Sequence, residues 1–424
     1  MATLYWDGSA SGNWNDVANW STAIGGGTDP GAVPGAGDDV IFNATTVGSQ
    51  ISSLGANQAA NSISFAANST TPMTIAAGNT LTVGTGGITI SAGAAAHTIS
   101  STVSLLNSAS VTNNSASLFT VGGDISSATT GAQTLTVPGT GNVTFGGTIS
   151  NGTATALAIS KSGAGTLTFN RTAGANTYSG GTTVAGGVLS LGTGGTAADT
   201  SNVGALGTGT VAINTGGQVR LWIRNNATFT IANNFTLNGG VLHDEDGNYI
   251  MTGNFSVPVT STFSARYTGK DLTISGPIFG AGGVTINNVV ANNGGAVIFS
   301  NAGNSYTGVT TISASTLQIP TTANGGGNST LGASSSAASN LVFNGGILRY
   351  AGTAAGSTDR LFTLNTTGGT IQSTNGTAAN SISFTNTGAI AYGGAGVRTL
   401  TLGGANTGNN TFSPLLADNG GATT

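Results

Sequence analysis

The sequence predicts an all-β chain that folds as a parallel β-solenoid. Three observations lead to this prediction: short runs in which apolar residues alternate with Thr or Ser, Gly and Asn residues between those runs, and internal repeats. Repeats at periods of roughly 20–50 residues are typical of solenoids, because one turn buries its apolar face only by stacking on the next.

The short runs have the period of a β-strand with one buried face. Alternation of apolar and hydroxyl residues occurs in residues 80–83 (TLTV), 166–169 (TLTF), 228–231 (TFTI) and 399–402 (TLTL). Such period-two alternation predicts strands rather than helices. The residues predicted to point inward and stack from coil to coil are Leu167, Phe169, Leu189, Val219, Leu221, Phe343 and Leu348. Gly-Gly, Asn-Gly and Gly-Asn pairs separate the runs and favour the tight corners that most other residues resist.

Longer repeats predict how the strands are organised. Residues 178–184 (YSGGTTV) recur at 306–312 (YTGVTTI), an offset of 306 − 178 = 128, and residues 216–221 (GGQVRL) recur at 345–350 (GGILRY), an offset of 345 − 216 = 129. Shorter Gly-bounded segments return about every 20 residues. We therefore expect about 20 residues per coil. The solenoid is predicted over 46–424, with super-repeat units at approximately 147–275 and 276–403 and partial copies at both ends.

An aromatic cluster precedes the predicted solenoid. Tyr5, Trp6, Trp14 and Trp20 include three of the four Trp residues of the chain. A terminal coil exposes strand edges and apolar side chains unless another segment covers them. We therefore predict an N-terminal cap over residues 1–45. Residues 409–424 show no such cluster. We therefore expect a fragment whose native chain continues beyond them, a processed product, or an end that docks on another molecule.

Composition excludes several classes of function. The chain has no Cys, so disulfides and thiolate metal sites are excluded, and its 9 Lys and Arg residues are scattered, which argues against nucleic-acid binding. No run of about 18 apolar residues predicts a membrane-spanning helix. Charged residues make up only 5% of the chain, as expected where stacked coils would place like charges over one another.

Residues 161–169 (KSGAGTLTF) and 174–184 (GANTYSGGTTV) closely resemble the autotransporter-associated β-strand repeat of passenger regions in very large bacterial surface proteins. A weaker copy covers 295–319, and a third copy at 399–413 keeps GANTG at 404–408. The resemblance implies a right-handed parallel β-helix, outer-membrane export, an extracellular or cell-surface location and no catalytic residues.

One dense polar cluster, residues 243–248 (HDEDGN), is a candidate metal site. Asp244 and Asp246, followed by a Gly, resemble the start of a calcium loop, although the late Glu of a complete loop is missing. The alternatives are catalysis by the clustered acids and a solvated loop in which Arg220 or Arg224 pairs with Asp244 or Asp246. Calcium is the only cofactor that the sequence suggests.

A second candidate site is the run from Val219 to Arg224. Alternation predicts that Val219, Leu221 and Ile223 point inward, so that Arg220, Trp222 and Arg224 point outward together. An outward Trp between two guanidinium groups can stack on a sugar or contact a neighbouring protein. The alternative is that the Trp lies under a loop.

These observations predict a surface-displayed structural scaffold, for example a filament or sheath subunit, and not an enzyme. The second reading is an adhesin that binds glycans or matrix through an outward face. An ice-binding Thr face and a polysaccharide-cleaving enzyme are further alternatives. Expected partners are other copies of the chain, neighbouring surface proteins or glycans.

Overall fold

A computed structural model describes residues 1–43, 50–171, 174–194, 203–224, 227–290 and 294–418. Within these ranges the chain is all-β and has no α-helix, and its short 3₁₀ helices include Val17–Asn19 and Ala338–Asn340. Two units can be distinguished: Met1–Ala212 with Gly216–Val219, and Ile213–Thr215 with Arg220–Thr424. The fold is a parallel β-solenoid, which confirms the predicted fold class.

The strands of the first unit are short and separated by Gly-rich corners. They are β1 (Thr3–Trp6), β2 (Trp20–Ser21), β3 (Asp39–Phe42), β4 (Ile51–Ser52), β5 (Gln58–Phe65), β6 (Thr74–Ile75), β7 (Thr80–Ile90), β8 (Thr98–Ile99), β9 (Thr102–Leu105), β10 (Ala109–Asn113), β11 (Phe119–Val121), β12 (Ile125–Ser127), β13 (Ala132–Val137), β14 (Val143–Phe145), β15 (Ile149–Gly152), β16 (Ala156–Lys161), β17 (Thr166–Phe169), β18 (Thr182–Val184) and β19 (Gly187–Leu191).

Two strands, β20 (Val211–Asn214) and β21 (Gly217–Leu221), contain residues of both units. The second unit continues with β22 (Thr228–Ile231), β23 (Phe235–Asn238), β24 (Val241–Asp244), β25 (Asn248–Met251), β26 (Phe255–Val259), β27 (Ser261–Ala265), β28 (Leu272–Ile274), β29 (Ile278–Phe279), β30 (Val284–Asn287), β31 (Ala296–Phe299), β32 (Thr310–Ser313), β33 (Thr316–Ile319), β34 (Leu341–Asn344), β35 (Ile347–Tyr350), β36 (Gly356–Thr358), β37 (Thr363–Asn365), β38 (Gly369–Ser373), β39 (Ile382–Phe384), β40 (Ala391–Gly393), β41 (Leu400–Gly403) and β42 (Thr411–Phe412).

Each unit is built from parallel ladders that run from coil to coil. In the first unit one ladder has the order β4-β6-β8-β11-β14-β17-β19, and another begins β2-β1-β3-β5-β7. The β1–β2 pairing is antiparallel, whereas β1 pairs with β3 in parallel. In the second unit the ladders include β24-β27-β30-β32-β34-β37-β40, β25-β28-β31-β33-β35-β38-β41 and β36-β39-β42.

The turns are longer than the sequence predicted. The structure has about 15 turns of about 24 residues, rather than coils of about 20 residues. Leu167 pairs with Val143, a spacing of 167 − 143 = 24 residues. Phe343 pairs with Ile312, a spacing of 343 − 312 = 31 residues, because a long corner precedes β34. The Gly pairs mark corners, but they do not show how many residues a corner holds.

The predicted inward residues are buried. Leu167, Phe169, Leu189, Val219, Leu221, Phe343 and Leu348 each expose 0–1% of their surface. The predicted strand register is therefore confirmed for these positions, since a shift by one residue would turn all of them outward. Outward positions carry hydroxyl ladders instead. In the first unit one ladder consists of Thr74, Thr98, Thr120, Thr144 and Thr168.

The N-terminal aromatic residues form a packed cluster. Trp6, Trp14 and Trp20 are fully buried, and Tyr5 is partly buried. The ring centroids of Trp14 and Trp20 lie 4.6 Å apart with an edge-to-face geometry, and the Trp20 indole N–H donates to the Trp14 carbonyl at 2.8 Å. Phe42 lies within 6.3 Å of Trp20. A capping role for this cluster stays a prediction, as do the handedness of the solenoid and the boundaries of the super-repeat.

The helices found in the described ranges are too short to cross a membrane.

Candidate functional site

The outward face at the start of the second unit contains the predicted Arg-Trp-Arg run. Leu221 and Ile223 are fully buried, Arg220 and Trp222 are partly buried, and Arg224 is exposed. The alternation therefore points these three side chains outward, as predicted. The Arg220 guanidinium lies 4.4 Å from the centroid of the Trp222 ring, a cation–π contact. Burial lowers the pKa of Arg220, and the nearby Glu245 opposes this effect.

The polar cluster beside this face is buried, which corrects the prediction of a solvated loop. His243 and Asp244 expose 0% of their surface, Glu245 exposes 6% and Asp246 exposes 7%. Within β24, His243 pairs with Ser264 and Asp244 pairs with Ala265 of the next coil, and these partners are buried as well. The predicted ion pair is present: Arg224 Nε donates to Asp246 Oδ2 at 2.8 Å.

His243 connects two neighbouring polar groups. Its Nδ1 lies 3.0 Å from Ser264 Oγ, and its Nε2 lies 3.0 Å from Glu245 Oε2. Burial lowers the pKa of His243 in spite of the opposing effect of Glu245. Burial tends to raise the pKa of Glu245, but its hydrogen bonds with His243 and Arg266 lower it overall. The imidazole is therefore neutral beside an ionised carboxylate, with Nε2 donating to Glu245 and Nδ1 accepting from Ser264.

This Ser264–His243–Glu245 chain has the connectivity of a nucleophile, a base and an orienting acid. Sequence reasoning missed it, because His243 and Ser264 meet only through the pairing of β24 with β27. Ser264 lies within β27 and exposes 0% of its surface. A substrate carbonyl cannot approach a hydroxyl that is fully covered, so the arrangement serves as a buried polar ladder.

Asp244 is the most unusual member of the cluster. Neither of its carboxyl oxygens has a hydrogen-bond partner, although the residue is fully buried. Its burial raises its pKa well above the usual value, and the charges of Asp246, Asp271 and Glu245 act in the same direction. Lys270 opposes them. The side chain therefore prefers the neutral, protonated form.

The predicted calcium ligands have different surroundings. Asp246 is engaged by Arg224, whereas Asp244 occupies the inward ladder position beside Ala265. Within the described ranges, no group of three or more His, Asp or Glu side chains has a geometry suited to a metal ion. Calcium binding at Asp244 and Asp246 stays a prediction.

A different pair of sites lies at the GANTY and GNSYT motifs. Asn176 Oδ1 accepts from the Ile149 backbone N–H at 2.8 Å, and Asn304 Oδ1 accepts from the Ile278 N–H at 2.9 Å. Asn176 exposes 3% of its surface and Asn304 exposes 0%. Each Asn thus satisfies a buried backbone donor of the preceding coil.

The Tyr that follows each Asn by two residues is also bonded within the core. Tyr178 Oη lies 2.6 Å from Thr182 Oγ1, and Tyr306 Oη lies 2.8 Å from Thr310 Oγ1. Both Tyr residues are fully buried. The two motifs therefore build the same buried Asn–Tyr–Thr arrangement in both units, one in each.

These two sites coincide with a known repeat. A family model described as passenger-associated-transport-repeat matches residues 159–191 and 289–319, which contain both arrangements. The chain is a β-solenoid that matches this passenger repeat twice. The resemblance stated from the sequence is confirmed, and the protein is exported across the outer membrane to the cell surface or the extracellular space.

A curated relative supports this assignment. The passenger-repeat chain is 34% identical over 251 residues to the adhesin BmaC autotransporter of Brucella suis biovar 1 (strain 1330). The aligned region covers 59% of the chain and only 6% of that relative. No solved structure gives a significant match.

Proposed function

We propose that this passenger-repeat chain is a non-catalytic scaffold segment that extends and presents a larger surface protein. The proposal rests on one observation: the residues that characterise the repeat are buried and form hydrogen bonds within their own chain. Asn176, Tyr178 and Thr182 are buried and bond to their own chain, and the equivalent residues of the second repeat do the same. A motif whose polar groups are satisfied inside the fold has a structural purpose.

The outward surface supports a spacing role. Much of it consists of hydroxyl ladders such as the one from Thr74 to Thr168 in the first unit. Hydroxyl groups stack from coil to coil without the repulsion that like charges would bring. The low charge of 5% fits a chain selected for regular stacking.

The scaffold proposal is tested by replacing a repeat Asn in the complete chain displayed on cells. Asn176→Ala should increase cleavage by an added protease about fivefold, because it leaves a buried backbone N–H without its acceptor. The control is Asn114→Ala, which changes an exposed Asn directly after β10 in the same unit. If Asn176→Ala leaves protease resistance intact but removes binding to a ligand, the scaffold proposal is wrong.

Adhesion is the second candidate, favoured by one specific feature. Arg220, Trp222 and Arg224 form an outward aromatic and cationic face, and the curated relative is described as an adhesin. Aromatic and Arg side chains are the commonest anchors of binding surfaces. Such a face suits an acidic or neutral glycan.

A glycan array tests this candidate. Trp222→Ala should reduce binding at least tenfold if the face is the binding site. The matched control is Tyr392→Ala, which removes another partly buried aromatic ring that lies 5.0 Å from an Arg, in this case Arg398. Equal binding by the wild type and both variants would exclude adhesion through Trp222.

A further inference from the structure

The outer face of one ladder in the second unit carries a row of three long polar side chains. Gln318 of β33 pairs with Arg349 of β35, and Arg349 pairs with Gln372 of β38. Each of the three is partly buried, and the residues directly before and after each of them are buried. Alternation therefore points the three side chains outward, on strands that lie about 4.8 Å apart.

These three side chains are unusual because they have no internal partner. Within residues 294–418, which the structure describes without a gap, none of them forms a hydrogen bond or an ion pair. Every other Arg of the described ranges contacts a carboxylate, an aromatic ring or a carbonyl oxygen of its own chain: Arg171, Arg220, Arg224, Arg266, Arg360 and Arg398. The donors of Arg349 are therefore available to another molecule.

The charge of Arg349 is uncompensated on this face. The strands that form the face around it, β31, β33, β35, β38 and β41, contain no Asp or Glu. Asp359, the acid nearest to Arg349 in sequence, lies in a corner, where its carboxylate accepts from the Gly325 N–H at 2.7 Å. A guanidinium thus points outward without a carboxylate of its own strands to pair with.

The equivalent Arg of the earlier repeat has a partner. Arg349 follows Arg220 by 349 − 220 = 129 residues, the same offset as the Gly-Gly pairs that precede them. Arg220 lies over the Trp222 ring at 4.4 Å, whereas the residue at the position of Trp222 is Ala351 in the later copy. Arg349 therefore lacks the aromatic ring that occupies one side of Arg220.

Apolar and hydroxyl side chains lie beside the row. Ile298 pairs with Gln318 and belongs to the same outward column, and Ile347 lies two residues before Arg349 on the same side of β35. Both Ile residues are partly buried. Thr370 pairs with Ile347 and also points outward. The face therefore combines one guanidinium, two carboxamides, a hydroxyl and a small apolar surface.

We propose that this face binds an acidic oligosaccharide built from uronic acid units. The planar guanidinium of Arg349 matches a sugar carboxylate through two parallel hydrogen bonds. The carboxamides of Gln318 and Gln372 donate to and accept from hydroxyl groups of the flanking rings. The inference does not depend on the scaffold proposal, and it concerns a different surface from the one around Trp222.

An acidic peptide matches this face less well. An extended peptide typically binds by adding a strand to a free sheet edge, but β35 already has β33 on one side and β38 on the other. Only outward side chains remain for contact, and they offer directional bonds at the regular interval of the ladder. A uronic acid polymer carries a carboxylate and hydroxyl groups on its successive rings. Because the face lies on the side of the coils, stacking of further coils would lengthen it and would not cover it.

The test measures binding of hexagalacturonate to the complete chain by isothermal titration calorimetry. Binding should be saturable and should weaken as salt is added, since salt screens the attraction between an exposed charge and the carboxylate. Maltohexaose, a neutral sugar of the same length, should bind at least tenfold more weakly, because a hydrogen bond to a charged group contributes a factor of this size.

Variants of the chain locate the site. Arg349→Gln should weaken binding at least tenfold, and Arg349→Lys should restore only part of it, since Lys keeps the charge but lacks the planar fork. Gln318→Ala and Gln372→Ala should each cost about fivefold, the effect of one neutral hydrogen bond. Hydrogen exchange of β35 should be the same in all four variants, because these side chains hold no other part of the chain.

Lys270→Gln is the matched control for loss of charge. Lys270 precedes β28, which is three strands away from β35 in the ladder order β28-β31-β33-β35. The separation is at least about 14 Å, beyond the roughly 8 Å over which exposed charges act at physiological ionic strength. Its affinity for hexagalacturonate should stay within about twofold of the wild type.

Three outcomes would overturn the proposal: no saturable binding, equal binding of hexagalacturonate and maltohexaose, or equal affinity of the wild type and Arg349→Gln. Stronger binding of hexaglutamate or of dextran sulfate would replace the uronic acid with an acidic peptide or a sulfated polymer. Loss of binding in Trp222→Ala but not in Arg349→Gln would assign the sugar to the surface around Trp222.

Discussion

Tyr178 and Thr182 share a hydroxyl–hydroxyl hydrogen bond of 2.6 Å inside the first passenger repeat, where both side chains are buried. Burial raises the pKa of Tyr178, and the hydrogen bond with Thr182 opposes this effect only in part. The phenol therefore stays protonated across the physiological range. The equivalent pair of the second repeat, Tyr306 with Thr310, behaves in the same way.

This pair predicts strong coupling between two substitutions. Tyr178→Phe leaves the buried Thr182 hydroxyl without its partner, and Thr182→Val leaves the Tyr178 hydroxyl with only its longer hydrogen bond of 3.4 Å to the Ala205 carbonyl. Each substitution should lower the free energy of unfolding by about 1–2 kcal/mol. The double variant should cost about 1 kcal/mol less than the sum, because neither hydroxyl remains. Hydrogen exchange of β18 measures the three losses. Strict additivity would show that the two hydroxyl groups act independently.

Asp244 predicts a gain in stability on substitution. Asp244→Leu should raise the free energy of unfolding of the second unit by about 1–3 kcal/mol at pH 7, because it removes a buried carboxyl group that has no hydrogen-bond partner. Denaturant titration followed by hydrogen exchange at β24 measures this change. Asp246→Leu is the control and should give no gain, since it breaks the ion pair with Arg224.

The pH dependence at Asp244 has a definite sign. Its pKa in the folded chain is raised, so the unfolded chain loses its proton first as the pH rises. Its contribution to stability is fully present below the unfolded pKa of about 3.9 and is lost as the pH rises through the folded pKa. Asp244→Leu should remove this part of the pH profile. A variant that keeps the wild-type profile would contradict the assignment.

His97 predicts the opposite dependence of stability on pH in the first unit. Burial lowers its pKa to about 4, against a stacked Phe65 ring at 4.4 Å. Its Nδ1 accepts from the Met73 N–H, so the neutral form is the one that fits. The stability that it contributes is present above pH 6.5 and falls by up to about 3 kcal/mol as the pH drops towards 4.

His97→Gln tests this sign, because Gln keeps an acceptor and a donor but does not titrate in this range. Hydrogen exchange of β8 at pH 7 and pH 4.5 should show a large loss of protection in the wild type and a much smaller one in the variant. Loss of protection that is equal in both proteins would assign the acid sensitivity to other groups.

Stability should be distributed along the solenoid. Leu167→Ala should cost about 2–4 kcal/mol and should reduce protection in β14, β17 and β19, since each coil contacts only its neighbours. Thr168→Ala is the control, because it changes the outward residue of the same strand. Equal loss of protection at β35, which is remote in the chain, would contradict this local response.

The sequence was sufficient for the features that depend on local alternation. The period of two predicts the strand type, the inward register at Leu167 and Leu348, and the outward direction of Arg220 and Trp222. Turn length did not follow, because the number of residues in each corner leaves no periodic signal. The spacing of 31 residues between Ile312 and Phe343 shows how much a corner can hold.

Contacts between coils were the main feature that local patterns missed. The cluster at His243 looked like a solvated loop because four polar residues stand together, but the pairing of His243 with Ser264 buries it. Such positions depend on register across about 24 residues, which a single-sequence pattern does not specify.

The bonds of Asn176 also bear on how such a chain can change its length during evolution. This one side chain accepts from Ile149, 176 − 149 = 27 residues earlier, and donates to Ala205, 205 − 176 = 29 residues later. An insertion within a strand of any of these coils would move one of its two partners out of reach. We therefore expect insertions and deletions at the corners, and larger changes of length by the gain or loss of complete turns.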